Sequence, residues 1–440
     1  MKAMSSKQLP PHMCASELAS IVGEDAVYLW ENLTPTGQKP FLQAISSENP
    51  PFCIVYPQST EQLARAIAQA HHHNWRVVAC GSASKLSWGG LIKEVDFVVS
   101  TERLNQLINH AVGDLTVTVE AGMKFSELQS ILAKANQFLA LDPVAPESAT
   151  IGGIVATADT GSLRQRYGSV RDQMLGISFV RADGEIAKAG GRVVKNVAGY
   201  DLMKLFTGSY GTLGVITQAT FRVYPLPQIS GTVVLTGTAE NVSQAAATLR
   251  GSALTPTQAD LLSHQLVSSL GLGKKLGLIA RFQSIAESVR EQSNRLLEVG
   301  QQLGLQGSVY SATDEVELWQ RLRESMHSHG NESVITCKIG VLPTAALKVL
   351  TQAEKGVIHI ASGLGVLRFE SEVGVEQVLQ MRSLLEANKG FLTVLEAPVT
   401  VKQRLDVWGY TGNALEIMKR LKAQFDSKNI LSSGRFVGGI

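Results

Sequence analysis

The residues best placed to do chemistry lie in one stretch, 142–177, which reads DPVAPESATIGGIVATADTGSLRQRYGSVRDQMLGI. Gly152, Gly153, Gly161 and Gly168 stand there among the small residues Ala149, Thr150, Ala156, Thr157, Ala158, Thr160 and Ser162. Glycine lets a backbone come close to a ligand and adopt positive φ, and successive free N–H groups can then form an anion-binding concavity. The chemistry this suits is the holding of something flat or anionic, with a diphosphate gripped mainly by loop amides. Tight turns and close packing use the same composition. No P-loop and no G-x-G-x-x-G occurs in the chain, so the common nucleotide fingerprints are absent.

Two further glycine-bearing turns favour the ligand reading. Upstream, Phe52 to Tyr56 reads as a strand closed by Pro57. Ser59 is a candidate N-cap for a helix with Leu63, Ala66, Ile67 and Ala70 on its apolar face. Arg76 to Cys80 reads as the next strand and ends in Gly81-Ser82-Ala83-Ser84-Lys85. This order of strand, helix, strand and small-residue turn serves nucleotide binders and many other α/β proteins alike. Downstream, Tyr200 to Phe206 reads as a short helix, Gly208, Gly211 and Gly214 mark a tight loop, and Val215 to Val223 reads as a long strand stopped by Pro225 and Pro227. Between these turns, 97–99 and 115–120 read as strands and 125–136 as a helix. Ala182-Asp183-Gly184 marks a hairpin joining 177–180 to 185–187.

The totals set bounds. At 440 residues the chain calls for two domains. A content of 44% hydrophobic and 18% charged residues describes a globular protein, and a net charge of +2 without a basic run speaks against nucleic acid. No apolar run approaches the roughly 20 residues that span a bilayer. The first residues lack the apolar core of a signal peptide, which predicts a cytoplasmic location. Cys14, Cys53, Cys80 and Cys337 are scattered and lack C-x-x-C spacing, so they read as packed, reduced thiols. His71, His72 and His73 read as an exposed helix end.

The prolines at 225 and 227 predict a first domain of residues 1–227, ordered from about residue 50, since 1–50 show only a short helical pattern at 16–21. A second domain of 228–424 follows, with strands expected at 231–236, 276–282, 333–340, 357–361, 365–370 and 391–396. Helices are expected at 239–250, 285–303, 314–325, 344–354, 375–387 and 413–425, with Ser284 to Glu287 as a capping box. The mixed order predicts an α+β domain on an antiparallel sheet. Residues 425–440 read as a turn-like tail returning to the first domain.

In this order the chain resembles the FAD-binding PCMH family, the vanillyl-alcohol-oxidase type of flavoprotein, and within it the FAD-binding subunits of bacterial glycolate oxidase. The resemblance rests on Pro57 to Glu61, Gly81 to Lys85, Ala149 to Gly153, Arg166-Tyr167-Gly168 with Arg171-Asp172, and Lys195 to Asp201. Gly208 to Ile216 and Gly434-Arg435-Phe436 complete it. It implies a PCMH-type domain of two α/β subdomains that clamp FAD, followed by a cap. Gly81, Ser82, Ala83, Ser84, Lys85 and Leu86 would hold the pyrophosphate through amides, as would Thr150, Gly152 and Gly153. Pro143, Ala149, Ala156, Thr157, Gly161, Tyr167, Gly168, Asp172 and Ile216 would complete the cofactor channel. Relatives that attach FAD covalently use a histidine in the first turn; this turn has none, so FAD is expected to be dissociable.

The resemblance also implies a role in oxidising glycolate to glyoxylate, beside a larger homologous FAD subunit and an iron–sulfur subunit, with any membrane association made through those partners. The alternative is a self-sufficient FAD-linked dehydrogenase of 2-hydroxy acids such as D-lactate or glycolate. Catalytic relatives carry H-x-H-x-G-D-G in the cap, whereas this chain has His359-Ile360-Ala361-Ser362-Gly363-Leu364-Gly365. That departure leaves no expected metal site, and His359 reads as a packed strand histidine. Arg281, Arg321, Arg323, Arg368 and Arg435 could each clamp a carboxylate or serve as salt-bridged or exposed arginines. No catalytic base can be named.

Overall fold

The computed structural model describes residues 11–46, 50–192, 199–327, 334–370 and 374–440. Its fold is α+β, built on three main sheets. The first has four strands in the order Val27–Leu29, Cys53–Val55, Phe97–Ser100, Val77–Cys80. Phe97–Ser100 runs parallel to both neighbours. The helix Thr60–His73 makes the crossover; its buried Leu63, Ala66, Ile67 and Ala70 repeat at helical spacing. Ser59 caps it by accepting from the Gln62 N–H at 3.2 Å, and Asn74 ends it at φ +58°.

The second sheet is antiparallel, with Leu107–Ala111, Thr116–Glu120, Val215–Arg222, Met174–Val180 and Ile186–Gly190 in that order. It therefore gathers strands from both sides of the glycine-rich stretch. The third sheet, also antiparallel, has eight strands: Gln306–Ser311, Ile229–Gly237, Leu276–Ser284, Gln258–Leu262, Lys355–His359, Leu364–Glu370, Val334–Gly340 and Phe391–Glu396.

Alternation along the strands gives this last sheet two different faces. Ile335, Cys337, Ile339, Ile358, Leu367 and Phe369 join one large apolar core. Register places Asp260 opposite His359, and Thr336 opposite Arg368 and Glu396, on the other face, with Lys338 among them. Part of that second face is apolar and lies under the helices His264–Ser269 and Ala312–Met326. The polar part meets the first sheets: Ser162 Oγ donates to Asp260 at 2.8 Å, and Trp88 Nε1 donates to Glu396 at 2.8 Å.

After the helix Leu415–Phe425 the chain returns to the first sheet. Val77 N–H donates to the Ile430 carbonyl at 2.7 Å and Ser432 N–H to the Val77 carbonyl at 2.8 Å, so the tail adds to the edge strand. Lys422 and Asp426 lock this return. The Lys422 ammonium is buried and donates to Asp426 at 2.6 Å, to the Thr212 carbonyl at 2.9 Å and to the Leu431 carbonyl at 2.8 Å. Asp426 also accepts from the amides of Ile430 and Leu431.

Several elements differ from the sequence reading. Pro11–Val22 is a full helix, and Pro35–Leu42 forms another whose N-cap, Thr34, accepts from the Gly37 N–H. Proline at the first helical position favours such a start, so a proline-marked segment concealed a helix. Gln258–Leu262 is buried on both faces and so lacks the alternation that marks a strand, while Gln306–Ser311 is an exposed edge strand with little apolar content. Ser284 ends a strand and makes no cap; Ile285 is the N-cap residue there, without a side-chain bond. Helix 344–354 shortens to a 3-10 turn, Pro343–Ala345, followed by Ala346–Leu350. Residues 195–198 of the resemblance lie outside the described residues.

Removing one partner of a buried ion pair strands the other charge, at about 3–5 kcal/mol. Asp426→Ala and Lys422→Met are therefore each expected to destabilise the protein by that order, read from chemical denaturation, with the double replacement costing less than the sum because neither charge is then stranded.

Candidate functional site

A cavity lies where the first two sheets meet the tail. Strand Val77–Cys80 delivers the turn from Gly81 to Leu86 to one wall. The short helix Ile151–Thr157 presents Gly152, Gly153, Ala156 and Thr157, with its N-cap Thr150, to a second. Tyr210, Gly211, Gly214, Val215 and Ile216 close a third, and Arg435 enters from the tail. A wider cleft opens on the other side of Ser82–Ser84, against Pro35, Pro40, Glu396 and Pro398.

The first two walls can touch only because position 81 has no side chain: a Cβ there would stand 2.1 Å from Thr150 Oγ1. The turn is closed by the Leu86 N–H donating to the Ala83 carbonyl at 3.1 Å, and Ala83 takes φ +58° to permit it. Ser100 Oγ donates to the Gly81 carbonyl at 3.1 Å, and Ser82 Oγ to the Ser148 carbonyl. These bonds leave the N–H groups of Ser82, Ala83, Ser84 and Lys85 without an acceptor among the described residues. Four amides in one tight turn make an anion-binding concavity.

The second loop differs from expectation. Ile151 N–H donates to the Met123 carbonyl at 2.9 Å, Gly152 N–H to the Ala121 carbonyl at 2.7 Å, and Gly153 N–H to Thr150 Oγ1 at 3.3 Å. Those amides are taken up by the protein, so this loop supplies a wall of small residues. A Cβ at Gly152 would lie 2.8 Å from that of Ala121, which is why the helix can pack so closely.

Six of the expected site residues do not line the cavity. The Ala149 carbonyl accepts from the Phe125 N–H, and buried Pro143 follows Asp142. Gly161 donates its N–H to Asp142 at 2.8 Å. Tyr167 packs between Phe138 and Tyr224, with ring centroids 5.6 and 4.7 Å away. Gly168, at φ +80°, precedes a cap in which the Ser169 N–H and hydroxyl both donate to Asp172, at 2.8 and 2.6 Å. Partial burial opposes ionisation of Asp172, but these bonds outweigh it and hold its carboxyl below the usual range.

Other residues at the site carry no local sequence signal. Lys85 and Asp159, both buried, pair at 3.1 Å across 74 positions of sequence. Asp260 accepts from Ser162 Oγ and from His359 Nδ1, the latter at 2.6 Å. Burial works against protonation of His359, yet the charge and hydrogen bond of Asp260 prevail and raise its pKa above 6.5. Nearby Asp142 accepts from the amides of Gly161 and Leu163, but burial dominates and lifts its pKa to about 6. Burial lowers the pKa of Lys338. Among the described residues no group of three His, Cys, Asp or Glu side chains is arranged to hold a metal ion.

The arginines divide. Arg281 pairs with Glu315 at 2.9 Å, Arg368 donates to the Ser325 carbonyl, and Arg321 and Arg323 are exposed. Arg435 alone among these five lines the cavity.

Because the raised pKa of His359 comes from Asp260, the stabilisation it brings is fully present below about pH 6.5 and fades as pH rises through the raised value. Asp260→Asn is expected to cost about 3 kcal/mol at pH 6 and clearly less at pH 9, measured as unfolding free energies at the two pH values.

The FAD-binding domain family matches residues 51–190. Over 425 residues the chain is 23% identical to glycolate oxidase subunit GlcD of Bacillus subtilis (strain 168), covering 88% of each protein. It is 36% identical over 172 residues to glycolate oxidase subunit GlcE of Escherichia coli (strain K12), covering 39% of this chain and 49% of that one. With the mitochondrial D-lactate dehydrogenase [cytochrome] of Arabidopsis thaliana it shares 28% identity over 346 residues, 75% of this chain and 60% of the relative's length. In fold it matches p-cresol methylhydroxylase with a TM-score of 0.73 at 14% identity, over 96% of both chains. The chain thus carries an FAD-binding domain at residues 51–190 and has a fold like that of p-cresol methylhydroxylase.

Proposed function

We propose that this chain is an FAD-dependent oxidoreductase of 2-hydroxy acids. It works as the FAD-binding subunit of a glycolate-oxidase-type complex, beside a larger catalytic flavin subunit and an iron–sulfur subunit. The observation that carries the cofactor assignment is the cradle: four unoccupied amides in the turn Ser82–Lys85, facing a close wall of Gly152, Gly153, Ala156 and Thr157. Such a site fits FAD held without a covalent bond, with the diphosphate on the amides and the rings along the small-residue walls and Ile216. FAD, when bound, supplies two-electron oxidation of the carbon bearing the substrate hydroxyl.

The subunit assignment draws on the cap. The position where catalytic relatives have a second histidine is Ala361, the acidic position is Leu364, and His359 is bound to Asp260. The cap thus offers His359 as a group held in place, and Ser162, Asp260 and His359 tie cap to first domain. Among the described residues the cysteines are not grouped with other metal-ligating side chains, and in this reading the electrons leave through another subunit.

A second reading, a self-sufficient dehydrogenase, is favoured by one observation. The D-lactate dehydrogenase of Archaeoglobus fulgidus aligns over 90% of this chain at 25% identity, whereas GlcE aligns over 39%.

An anaerobic spectrum of the purified chain separates the two. A flavin band near ~450 nm is expected, unchanged by glycolate or D-lactate alone and bleached once the partner subunits are added. Bleaching by either acid without partners would establish the second reading. Gly81→Ala is expected to lose most bound flavin at the first desalting step, measured as the flavin-to-protein absorbance ratio.

A further inference from the structure

The turn that presents the free amides is held in place from outside its own domain. Arg435, buried in the tail, donates through Nη2 to the carbonyls of Leu86 at 2.8 Å, Trp88 at 2.9 Å and Lys85 at 3.4 Å. Lys402, buried in the cap, donates through Nζ to the carbonyls of Gly89 at 3.0 Å, Ser87, and its own neighbour Leu395 at 3.0 Å. Between them the two cations engage every carbonyl from Lys85 to Gly89. In return the Gly90 N–H donates to the Arg435 carbonyl at 2.9 Å.

Neither cation has a carboxylate within ion-pair distance among the described residues. A buried charge is ordinarily costly unless paired. Here backbone carbonyls are the hydrogen-bond partners, with Glu396 acting on Lys402 only at longer range and the Tyr210 ring 5.9 Å from the Arg435 guanidinium, and burial pulls the Lys402 pKa down to about 7. Apolar residues of similar shape would serve packing better. The arrangement does have one structural effect: it fixes the carboxyl side of the turn. The Leu86 to Ala83 hydrogen bond passes that constraint to the front, where Ser82–Lys85 leave their amides open.

We propose that Lys402 and Arg435 are positioning residues for the cofactor turn, and that FAD binding is therefore coupled to docking of the cap and the tail. This rests on the FAD reading above. The coupling is reciprocal: whatever holds the cap and tail down tightens FAD, and FAD holds the cap and tail down. A partner subunit that seats on either would change flavin retention without touching the cavity.

Two arms test this on the full chain stripped of flavin. The first titrates FAD by fluorescence quenching into wild type, Lys402→Met, Lys402→Arg and Arg435→Met, each checked for folding by circular dichroism. At least a tenfold weaker Kd is expected for the two methionine variants, with recovery in Lys402→Arg because it restores the donors and the charge. The second arm needs no substitution: hydrogen exchange of wild type with and without FAD. Slower exchange is expected at 81–86 and also at 399–403 and 430–436. Failure of wild type to bind FAD would sink the cofactor reading itself. Wild-type affinity in both methionine variants, or protection confined to 81–86 and 150–157, would overturn the coupling while leaving that reading intact.

Discussion

Three buried cations hold distant parts of this chain together through carbonyl oxygens. Lys422 reaches Thr212 and Leu431, Lys402 reaches Ser87 and Gly89, and Arg435 reaches Lys85, Leu86 and Trp88. A carbonyl is a weaker partner than a carboxylate, but several around one ammonium or guanidinium can replace lost water. Only Lys422 also has an acid, Asp426, within bonding distance. Two of the three, Lys402 and Arg435, grip the carboxyl side of the turn that carries the free amides.

The cap sheet shows how one element serves two surroundings. Its core face is continuous and apolar. Its other face changes along the sheet from the apolar cluster of Val234, Leu262, Ile279 and Val357 to the polar set of Asp260, His359, Lys338 and Thr336. That change coincides with the approach of Ser162 and Trp88 from the first domain. A polar interior at a domain junction is expensive to build, and the hydrogen bonds across it make the junction specific in register.

Tyr210 links these themes. It takes φ +55°, rare for a bulky residue, and donates its N–H to the Ala156 carbonyl at 2.8 Å. Its ring stands edge-on to Trp408 of the cap at 5.0 Å and lies against Phe436 of the tail at 6.1 Å. Strain of this kind persists only where surrounding structure fixes it, and here the third wall of the cavity, the cap and the tail meet at one ring.

By itself the sequence determined the local pieces. Ser59 before an amphipathic run, glycines at turns, and alternating strands stopped by prolines identify elements because caps, positive φ and side-chain period are short-range properties. The same signals located the turn Gly81–Leu86 and the wall Thr150–Thr157. They gave no account of which amides remain free, since that depends on whether Met123 and Ala121 carbonyls arrive at Ile151 and Gly152. Nor could spacing reveal Lys85 with Asp159, His359 with Asp260, or Lys402 with Ser87. In each pair the partners are far apart in sequence and either residue alone looks like an ordinary surface group. Only the tertiary structure decided those, because burial is what turns a common lysine or aspartate into a group whose charge must be answered by a specific neighbour.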